Sequence, residues 1–245
     1  MSKFHTENLI GIECLKTLPK SQPSPAQIKW FRQRLSLWGV ANRRDYLWRK
    51  TTNSYHLLVA ESLLQRTDAN TVAPIYKLFL EHYPTISDLA AANREDVAKI
   101  LAPLGLLFRA ERLQQCAEII ISRYDGRVPK DQKQLLGLPG IGDYTARAIG
   151  SQAFNQPLAV LDANVARILE RFFGLRGEKV KSRCKILWGA ADLIAPKKNV
   201  GKWNLALLDF GALTCKAQNP DCNNCPLSSK CKWYHDSQNE RLHQC

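Results

Sequence analysis

Four of the eight cysteines lie close together near the end of the chain, with a spacing typical of metal ligands. They are Cys215, Cys222, Cys225 and Cys231, in the pattern C-x6-C-x2-C-x5-C. The N-terminus lacks the apolar core and cleavage site of a secretory signal, so we expect a reducing compartment and metal binding rather than disulfides. Common zinc sites use two C-x2-C pairs, whereas only Cys222 and Cys225 form such a pair here. The spacing alone leaves zinc open as the alternative to other thiolate-bound metals.

The turn Leu138-Pro139-Gly140-Ile141-Gly142 lies between two runs with helical periodicity. Pro139 and Gly140 are predicted to end the first helix. Gly142 is predicted to supply dihedral angles that a Cβ would forbid, and Asp143 to cap the second helix. A tight turn beside a helix N-terminus presents backbone amides to phosphate. The alternative is an ordinary helix–turn–helix connection.

Asp162 follows an apolar pair eighteen residues after Tyr144, in the stretch Val-Leu-Asp-Ala-Asn-Val-Ala-Arg at 160–167. The simplest interpretation is an N-cap for the helix that follows. A capping carboxylate is also held rigidly and kept ionised by backbone amides. Near a DNA sugar it could stabilise the positive charge that develops as a glycosidic bond breaks. The spacing leaves both interpretations open.

Glu61 is the one carboxylate in the nearly continuous apolar run 57–64. A glutamate on a solvated helix face is the usual interpretation, but this helix has few polar positions, which favours burial. Burial without a cationic partner would raise the pKa of the carboxyl group and suit it to donate a proton.

The size and charge of the chain limit the kinds of protein it can be. It has 245 residues, 45% of them hydrophobic, enough for one large domain or two small ones. A formal net charge of +13 favours a polyanionic partner, most often nucleic acid. No apolar run approaches the length of a membrane span, so we expect a soluble intracellular protein.

Helical periodicity dominates the chain, with almost no strand-like alternation and no internal repeat, and it predicts an all-α fold of about ten helices. The predicted helices span 26–38, 54–66, 87–92, 94–101, 110–124, 131–137, 143–154, 163–173, 181–195 and 203–213. The loop 42–49 is basic with interleaved aromatic residues. It is predicted either to lie on a nucleic acid or to pack its aromatic rings on the core.

The three motifs L-P-G-I-G-D-Y-T-A, V-L-D-A-N-V-A-R and the four-cysteine loop occur in this order. Together they resemble the helix-hairpin-helix DNA glycosylases of the endonuclease III superfamily, over residues 28–234. The resemblance implies a six-helix barrel domain at 54–155. It also implies a helical iron–sulfur domain formed from both chain ends, at 26–53 and 156–234, with tails at 1–25 and 235–245.

The resemblance also implies roles for individual residues. Asp162 would be catalytic, and Glu61 would help the departing base to leave. Gln65, with Arg66 beside it, would insert into the space left by the extruded nucleotide. Leu106 or Leu107 would act as an apolar wedge.

The resemblance further implies two bound groups. The four cysteines would hold a [4Fe–4S] cluster, which the spacing favours over zinc within this superfamily. The hairpin, with Leu138, Gly140, Ile141 and Gly142, would hold DNA phosphate, with a monovalent cation on its carbonyl groups.

Tyr144 divides the possible activities within this superfamily. Glycosylases that also act as lyases carry a lysine at this position, which forms a Schiff base, and no lysine occurs between Gln134 and Glu178. A monofunctional glycosylase with little or no lyase activity is therefore expected. MutY-type adenine glycosylases usually carry serine here and have a further C-terminal domain, whereas this sequence ends 14 residues after Cys231. Mig-type thymine/guanine mismatch glycosylases carry tyrosine.

The expected partner is double-stranded DNA with a mismatched or damaged base, and the expected reaction is removal of thymine or uracil opposite guanine. The alternative is removal of adenine opposite 8-oxoguanine or guanine. A second alternative is a non-catalytic iron–sulfur protein that senses DNA damage. We expect a monomer, without membrane association, in the cytoplasm or nucleoid of a prokaryote.

Overall fold

The computed structural model describes residues 23–105 and 108–242, and every regular element in these ranges is helical. The predicted all-α fold is therefore confirmed. The α-helices are α1 (Pro25–Ala41), α2 (Ser54–Leu63), α3 (Ala69–His82), α4 (Ile86–Ala91), α5 (Arg94–Leu101), α6 (Phe108–Tyr124), α7 (Gln132–Leu136), α8 (Asp143–Ala153), α9 (Ala163–Phe173), α10 (Lys185–Ile194), α11 (Val200–Leu213) and α12 (Lys232–Leu242). In these two ranges, no helix combines the length and the apolar content needed to cross a membrane.

The described residues form two compact units. The central unit spans residues 45–158 and contains α2 to α8, and the terminal unit comprises the described residues 23–44 and 159–242. The barrel domain expected at 54–155 ends within three residues of the end of the central unit, but the central unit begins at residue 45 rather than at 54. There, Trp48 is buried in the core of the central unit and stacks on Tyr46, with ring centroids 4.6 Å apart. Of the two interpretations of loop 42–49, packing of its aromatic rings on the core is therefore confirmed.

Helix α2 lies at the centre of the packing in the central unit. It contacts α3, α6 and α8, and seven of its ten residues are buried because its apolar side chains occur on several faces. The Asn53 side chain caps the helix as predicted, accepting hydrogen bonds from the backbone amides of Tyr55 and His56. A carboxylate on this helix is therefore removed from water.

Helix α9 has the same central place in the terminal unit. It contacts α10, α11 and α12, while α1 packs on α11. An aromatic cluster joins these elements, because Phe31 of α1 lies 4.7 Å from Phe172 of α9 and 5.9 Å from Trp203 of α11, measured between ring centroids. These contacts hold the C-terminal end of α9 against α1.

Two helices were not predicted. Helix α3 contains Pro74, which removes a backbone donor and interrupts the helical pattern, although the capping side chain of Asp68 marks its start. Helix α12 is almost entirely polar and has little amphipathic character, so periodicity does not reveal it. It occupies residues as far as 242 of the segment 235–245 for which the sequence predicts a tail. The predicted tail 1–25 ends in Ser24 and Pro25, which begin α1 as its cap and first residue.

Candidate functional site

The hairpin between α7 and α8 is closed by a hydrogen bond from the Ile141 amide to the Leu138 carbonyl, 3.2 Å long. Both of these side chains are buried, so they anchor the turn in the core of the central unit. Gly140 has a φ of +77°, in the left-handed region that favours glycine. The turn thus exposes Gly140 and Gly142 while its apolar residues face inward.

Two local predictions for the hairpin are wrong. Gly142 has φ −104° and ψ −178°, an extended conformation open to any residue, so the turn depends on Gly140 instead. Asp143 is the first residue of α8 rather than its cap; the cap is Gly142, which has no side chain to accept from the first amides. A Cβ at Gly142 would meet no atom within 4 Å. The surface beside the start of α8 is therefore open to close approach.

Two side chains donate hydrogen bonds to the carbonyl groups of the hairpin. The Cys116 thiol of α6 donates to the Pro139 carbonyl at 3.0 Å, and Gln65 Nε2 donates to the Gly140 carbonyl at 3.0 Å. Burial raises the pKa of Cys116 to about 12, so its sulfur keeps the proton that it donates. The hairpin is thus held by one hydrogen bond from α6 and by another from the residues that follow α2.

Glu61 and Tyr144 both lie in the central unit, on the neighbouring helices α2 and α8. The Glu61 residue is only 7% exposed, so the predicted burial is confirmed. Tyr144 is half-buried. A buried carboxyl group and a phenol are both able to donate hydrogen bonds to a base.

Gln65 and Arg66 lie beyond the end of α2 rather than within its last turn. The helix ends at Leu63, and Arg66 has a φ of +60°, which is uncommon for a residue with a side chain. Arg66 is exposed, and Gln65 is half-buried against the hairpin. Leu106 and Leu107 lie outside the described residues. The prediction that Gln65 and Arg66 end the helix is therefore wrong, because the chain turns sharply at this point.

Asp162 caps α9 in the terminal unit, as the sequence predicts. One carboxylate oxygen accepts from the Val165 amide at 2.7 Å, and the other accepts from Asn164 Nδ2 at 2.9 Å. Burial raises the pKa of Asp162, and these hydrogen bonds together with Arg167 oppose that rise. The carboxylate is removed from most of the solvent but has donors prepared for its charged form.

Arg167 connects this carboxylate to the start of the cysteine loop. Its guanidinium donates to Asn164 Oδ1 and to the carbonyl groups of Gly211 and Cys215, each at 2.8 Å. A Cβ on Gly211 would lie 2.5 Å from Asn164 Cβ, so this glycine allows α11 to approach the start of α9. Arg167 lies within the motif at 160–167, but the sequence does not reveal its role, since two of its three acceptors are backbone carbonyl groups more than 40 residues away.

The four clustered cysteines line one cavity of the terminal unit, and Arg171 lies beside it, 3.6 Å from Cys215 Sγ. Burial raises the pKa of Cys222, Cys225 and Cys231, and neighbouring thiolates of the same cluster raise it further. In the described part of the chain, no three His, Cys, Asp or Glu side chains are arranged closely enough to hold a metal ion. The donor set, four thiols around one cavity, nevertheless suits a thiolate-bound metal.

A comparison with known protein families matches residues 59–190 to the HhH-GPD superfamily of base excision DNA repair proteins. The chain belongs to this superfamily. The resemblance inferred from the three motifs is thereby confirmed, and so is the assignment of the chain as a DNA N-glycosylase.

Related HhH-GPD proteins include glycosylases for different bases. The thymine/uracil-DNA glycosylase of Methanothermobacter thermautotrophicus is 37% identical over 201 residues, which cover 82% of this chain and 90% of that protein. The adenine DNA glycosylase of Mycolicibacterium smegmatis is 39% identical over 197 residues, which cover 80% of this chain and 67% of that protein.

Solved structures of the superfamily share the fold. A thermostable thymine-DNA glycosylase has a TM-score of 0.83 and 35% identity, covering 88% of this chain and all of that one. Endonuclease III in a non-covalent complex with DNA has a TM-score of 0.77 and 26% identity, covering 89% of this chain and all of that one.

We predict that replacing Arg167 with methionine will lower the free energy of unfolding by about 2–4 kcal/mol. The substitution leaves the carbonyl groups of Gly211 and Cys215 and the Asn164 amide oxygen without their donor. Urea unfolding of the purified protein measures the change. Arg176→Met, at an exposed position of the same unit, is the control and should alter stability by less than about 0.5 kcal/mol. Equal stability of the two variants would contradict the connecting role of Arg167.

Proposed function

We propose that this HhH-GPD protein is a monofunctional DNA glycosylase that hydrolyses the N-glycosidic bond of thymine or uracil opposite guanine. Tyr144, the second residue of α8, is the observation that carries the proposal. A lysine amine at this position would be needed for the covalent lyase reaction, and none is present between residues 134 and 178. The names and coverage of the thymine/uracil relatives support the choice of base.

The hairpin binds DNA phosphate in this proposal. The start of α8 carries the positive end of the helix dipole, and its cap residue, Gly142, has no side chain. Gly140 and Gly142 are exposed, and a phosphate can approach the backbone at Gly142 without meeting a side chain. A monovalent cation on the hairpin carbonyl groups stays a prediction.

Glu61 and Tyr144 act on the extruded base. Mismatched bases cost less to flip than paired ones, which supplies part of the selectivity. The buried Glu61 carboxyl group and the Tyr144 hydroxyl would donate hydrogen bonds to the base as it departs with negative charge. Gln65, with Arg66 beside it, would fill the space that the base leaves.

Asp162 acts on the sugar. Its charge would stabilise the oxocarbenium-like transition state and help to align the attacking water, while the two hydrogen-bond donors around it hold its position. Because the ionised form does this work, the reaction requires a pH above the pKa of Asp162.

The four cysteines would hold a [4Fe–4S] cluster, in a structural rather than a hydrolytic role. Such a cluster is bound by thiolates and would supply no atom to the hydrolysis. It would hold the cysteine loop in place, together with Lys216, Lys230 and Lys232, so that the loop can contact phosphate. Lys230 already lies over the Trp30 ring, 5.0 Å from its centroid. The enzyme would work as a monomer on the DNA of a prokaryotic cell.

Single-turnover assays on four duplexes test the proposed reaction. Duplexes with T·G, U·G, A·8-oxoG and A·G pairs are incubated with excess protein, and abasic sites are then cleaved with alkali. We expect product from T·G and U·G, dependent on alkali because no lyase activity accompanies base removal. Asp162→Asn should release no base yet bind the T·G duplex with about the affinity of the wild type.

Other outcomes of this assay would overturn the proposal in distinct ways. Product from the adenine duplexes alone would reassign the substrate to adenine. The absence of product from every duplex would favour a damage-sensing protein without catalysis. Cleavage of T·G strands without alkali would contradict the monofunctional assignment.

We predict that Asn164→Ala will shift the acidic limb of the pH–rate profile to higher pH. Removing the Asn164 amide removes a hydrogen bond that lowers the pKa of Asp162, so this pKa rises further above its ordinary value. As pH falls, Asp162 is then protonated earlier and the rate is lost earlier. Single-turnover rates for the T·G duplex from pH 5 to pH 8 measure the shift. An unchanged acidic limb would show that a different group controls it.

We predict that the purified protein will be brown and contain about four iron atoms per chain. Cys225→Ala should lower the iron content, because Cys225 lines the cavity shared by the four thiols. Cys14→Ser, which replaces a cysteine outside the C-x6-C-x2-C-x5-C motif, is the control and should retain the iron. A colourless protein with stoichiometric zinc would contradict the iron–sulfur assignment.

A further inference from the structure

Arg109, near the start of α6, is a buried cation whose partners lie far from it in sequence. The residue is only 3% exposed. Its two terminal nitrogens donate to the Leu63 carbonyl at 2.8 Å and to Thr67 Oγ1 at 2.7 Å, 46 and 42 residues away. We propose that Arg109 is a positioning residue that sets the 64–67 turn, and with it Gln65, for insertion into DNA. This inference rests on the proposed glycosylase function.

The turn between these two acceptors carries the residues assigned to the extruded nucleotide. Leu63 is the last residue of α2, and Thr67 lies just beyond Arg66. Arg109 therefore bonds to both ends of a segment that contains Gln65 and Arg66. The guanidinium is planar and rigid, so bonds from its two terminal nitrogens fix the separation of these ends as well as their position.

Both acceptors that Arg109 has among the described residues belong to this turn. In the described ranges, its Nε is buried and has no hydrogen-bond partner. A buried cation needs compensating acceptors, and here both acceptors belong to residues 63–67. Burial, and then the charge of Arg66, lower the pKa of Arg109 from its ordinary value, although an arginine stays protonated at neutral pH. The turn thus supplies the acceptors that the buried guanidinium needs, and the guanidinium holds the two ends of the turn.

The turn adopts a conformation that needs such support. Arg66 has a left-handed φ of +60°, which costs of order 1 kcal/mol for a residue with a side chain. Its charge also lies near that of Arg109. Inside the turn, Gln65 reaches the hairpin through its bond to the Gly140 carbonyl. Arg109, Gln65 and Gly140 also line one small cavity, together with Ser62.

Arg109 would therefore act through Gln65 and would not touch the reacting sugar or base. A turn set in advance lowers the entropy cost of placing Gln65 in the vacated space. Without the guanidinium, the hairpin could still bind phosphate, but the flipped nucleotide would lose the side chain that keeps it out of the stack. The defect should be confined to substrates whose base must be extracted from a pair.

Three substitutions test the role of Arg109. Arg109→Met removes both hydrogen bonds, Arg109→Lys keeps the charge without the planar geometry, and Thr67→Val removes one acceptor while leaving the guanidinium. Arg123→Met, at an exposed position of the same helix, is the matched control. Single-turnover excision is measured on a T·G duplex and on thymine opposite an abasic site. The fluorescence of 2-aminopurine beside the target reports extrusion.

We expect Arg109→Met to slow excision from T·G about tenfold or more, from the loss of hydrogen bonds to a charged group, and to abolish the fluorescence increase. Excision opposite the abasic site should fall much less, and affinity for undamaged duplex should not change. Arg109→Lys should recover part of the rate. Thr67→Val should show the same pattern with a smaller loss, and it provides the test if Arg109→Met does not fold.

Two results would overturn the inference. One is excision by Arg109→Met and Thr67→Val at the rate of Arg123→Met. The other is an equal loss on both substrates, which indicates general damage to the fold. Failure of the proposed function is distinguishable from both, because the wild-type protein would then release no base from any duplex.

Discussion

A carboxylate that leaves water while keeping its charge must be given donors, and the arrangement around α9 follows from this constraint. The helix start supplies the Val165 amide, and the Asn164 side chain supplies a second donor. Asn164 is in turn fixed by Arg167, which needs acceptors of its own and finds them on Gly211 and at the start of the cysteine loop. One ionised group thus determines how three segments of the terminal unit meet, and a side chain on Gly211 would separate them.

In the central unit, a buried cation and a turn are likewise held by hydrogen-bond partners from other segments of the chain. Helix α6 supplies Arg109 to the residues after α2 and the Cys116 thiol to the Pro139 carbonyl. With Gln65 on Gly140, the protein satisfies two hairpin carbonyl groups from within. The hairpin can therefore be rigid while the surface beside Gly142 stays uncovered. A rigid turn with an exposed backbone suits phosphate binding, because little conformational entropy is then lost when the ligand binds.

The features that could be predicted are those that depend on residues close together in the sequence. The burial of Glu61, the capping by Asp162 and the shared cavity of the four cysteines follow from periodicity, capping and spacing. The roles of Arg109 and Arg167 were not predicted, because most of their acceptors are backbone carbonyl groups more than 40 residues away. Every residue has a backbone carbonyl group, so the pattern of side chains does not show which one is the acceptor. Helix α3 was missed because of Pro74. The positive φ was expected at the wrong glycine of the hairpin, since two nearby glycines look equivalent until the buried side chains fix the turn.

The thiol behind the hairpin also determines how the protein responds to reactive chemicals. Thiolates, not thiols, attack oxidants and alkylating agents. Burial raises the pKa of Cys116 to about 12, so at pH 7 its sulfur is almost entirely in the unreactive thiol form. Many agents that damage DNA also modify cysteine. Support for the hairpin therefore rests on a sulfur that such agents react with very slowly, and it should outlast conditions that consume exposed thiols.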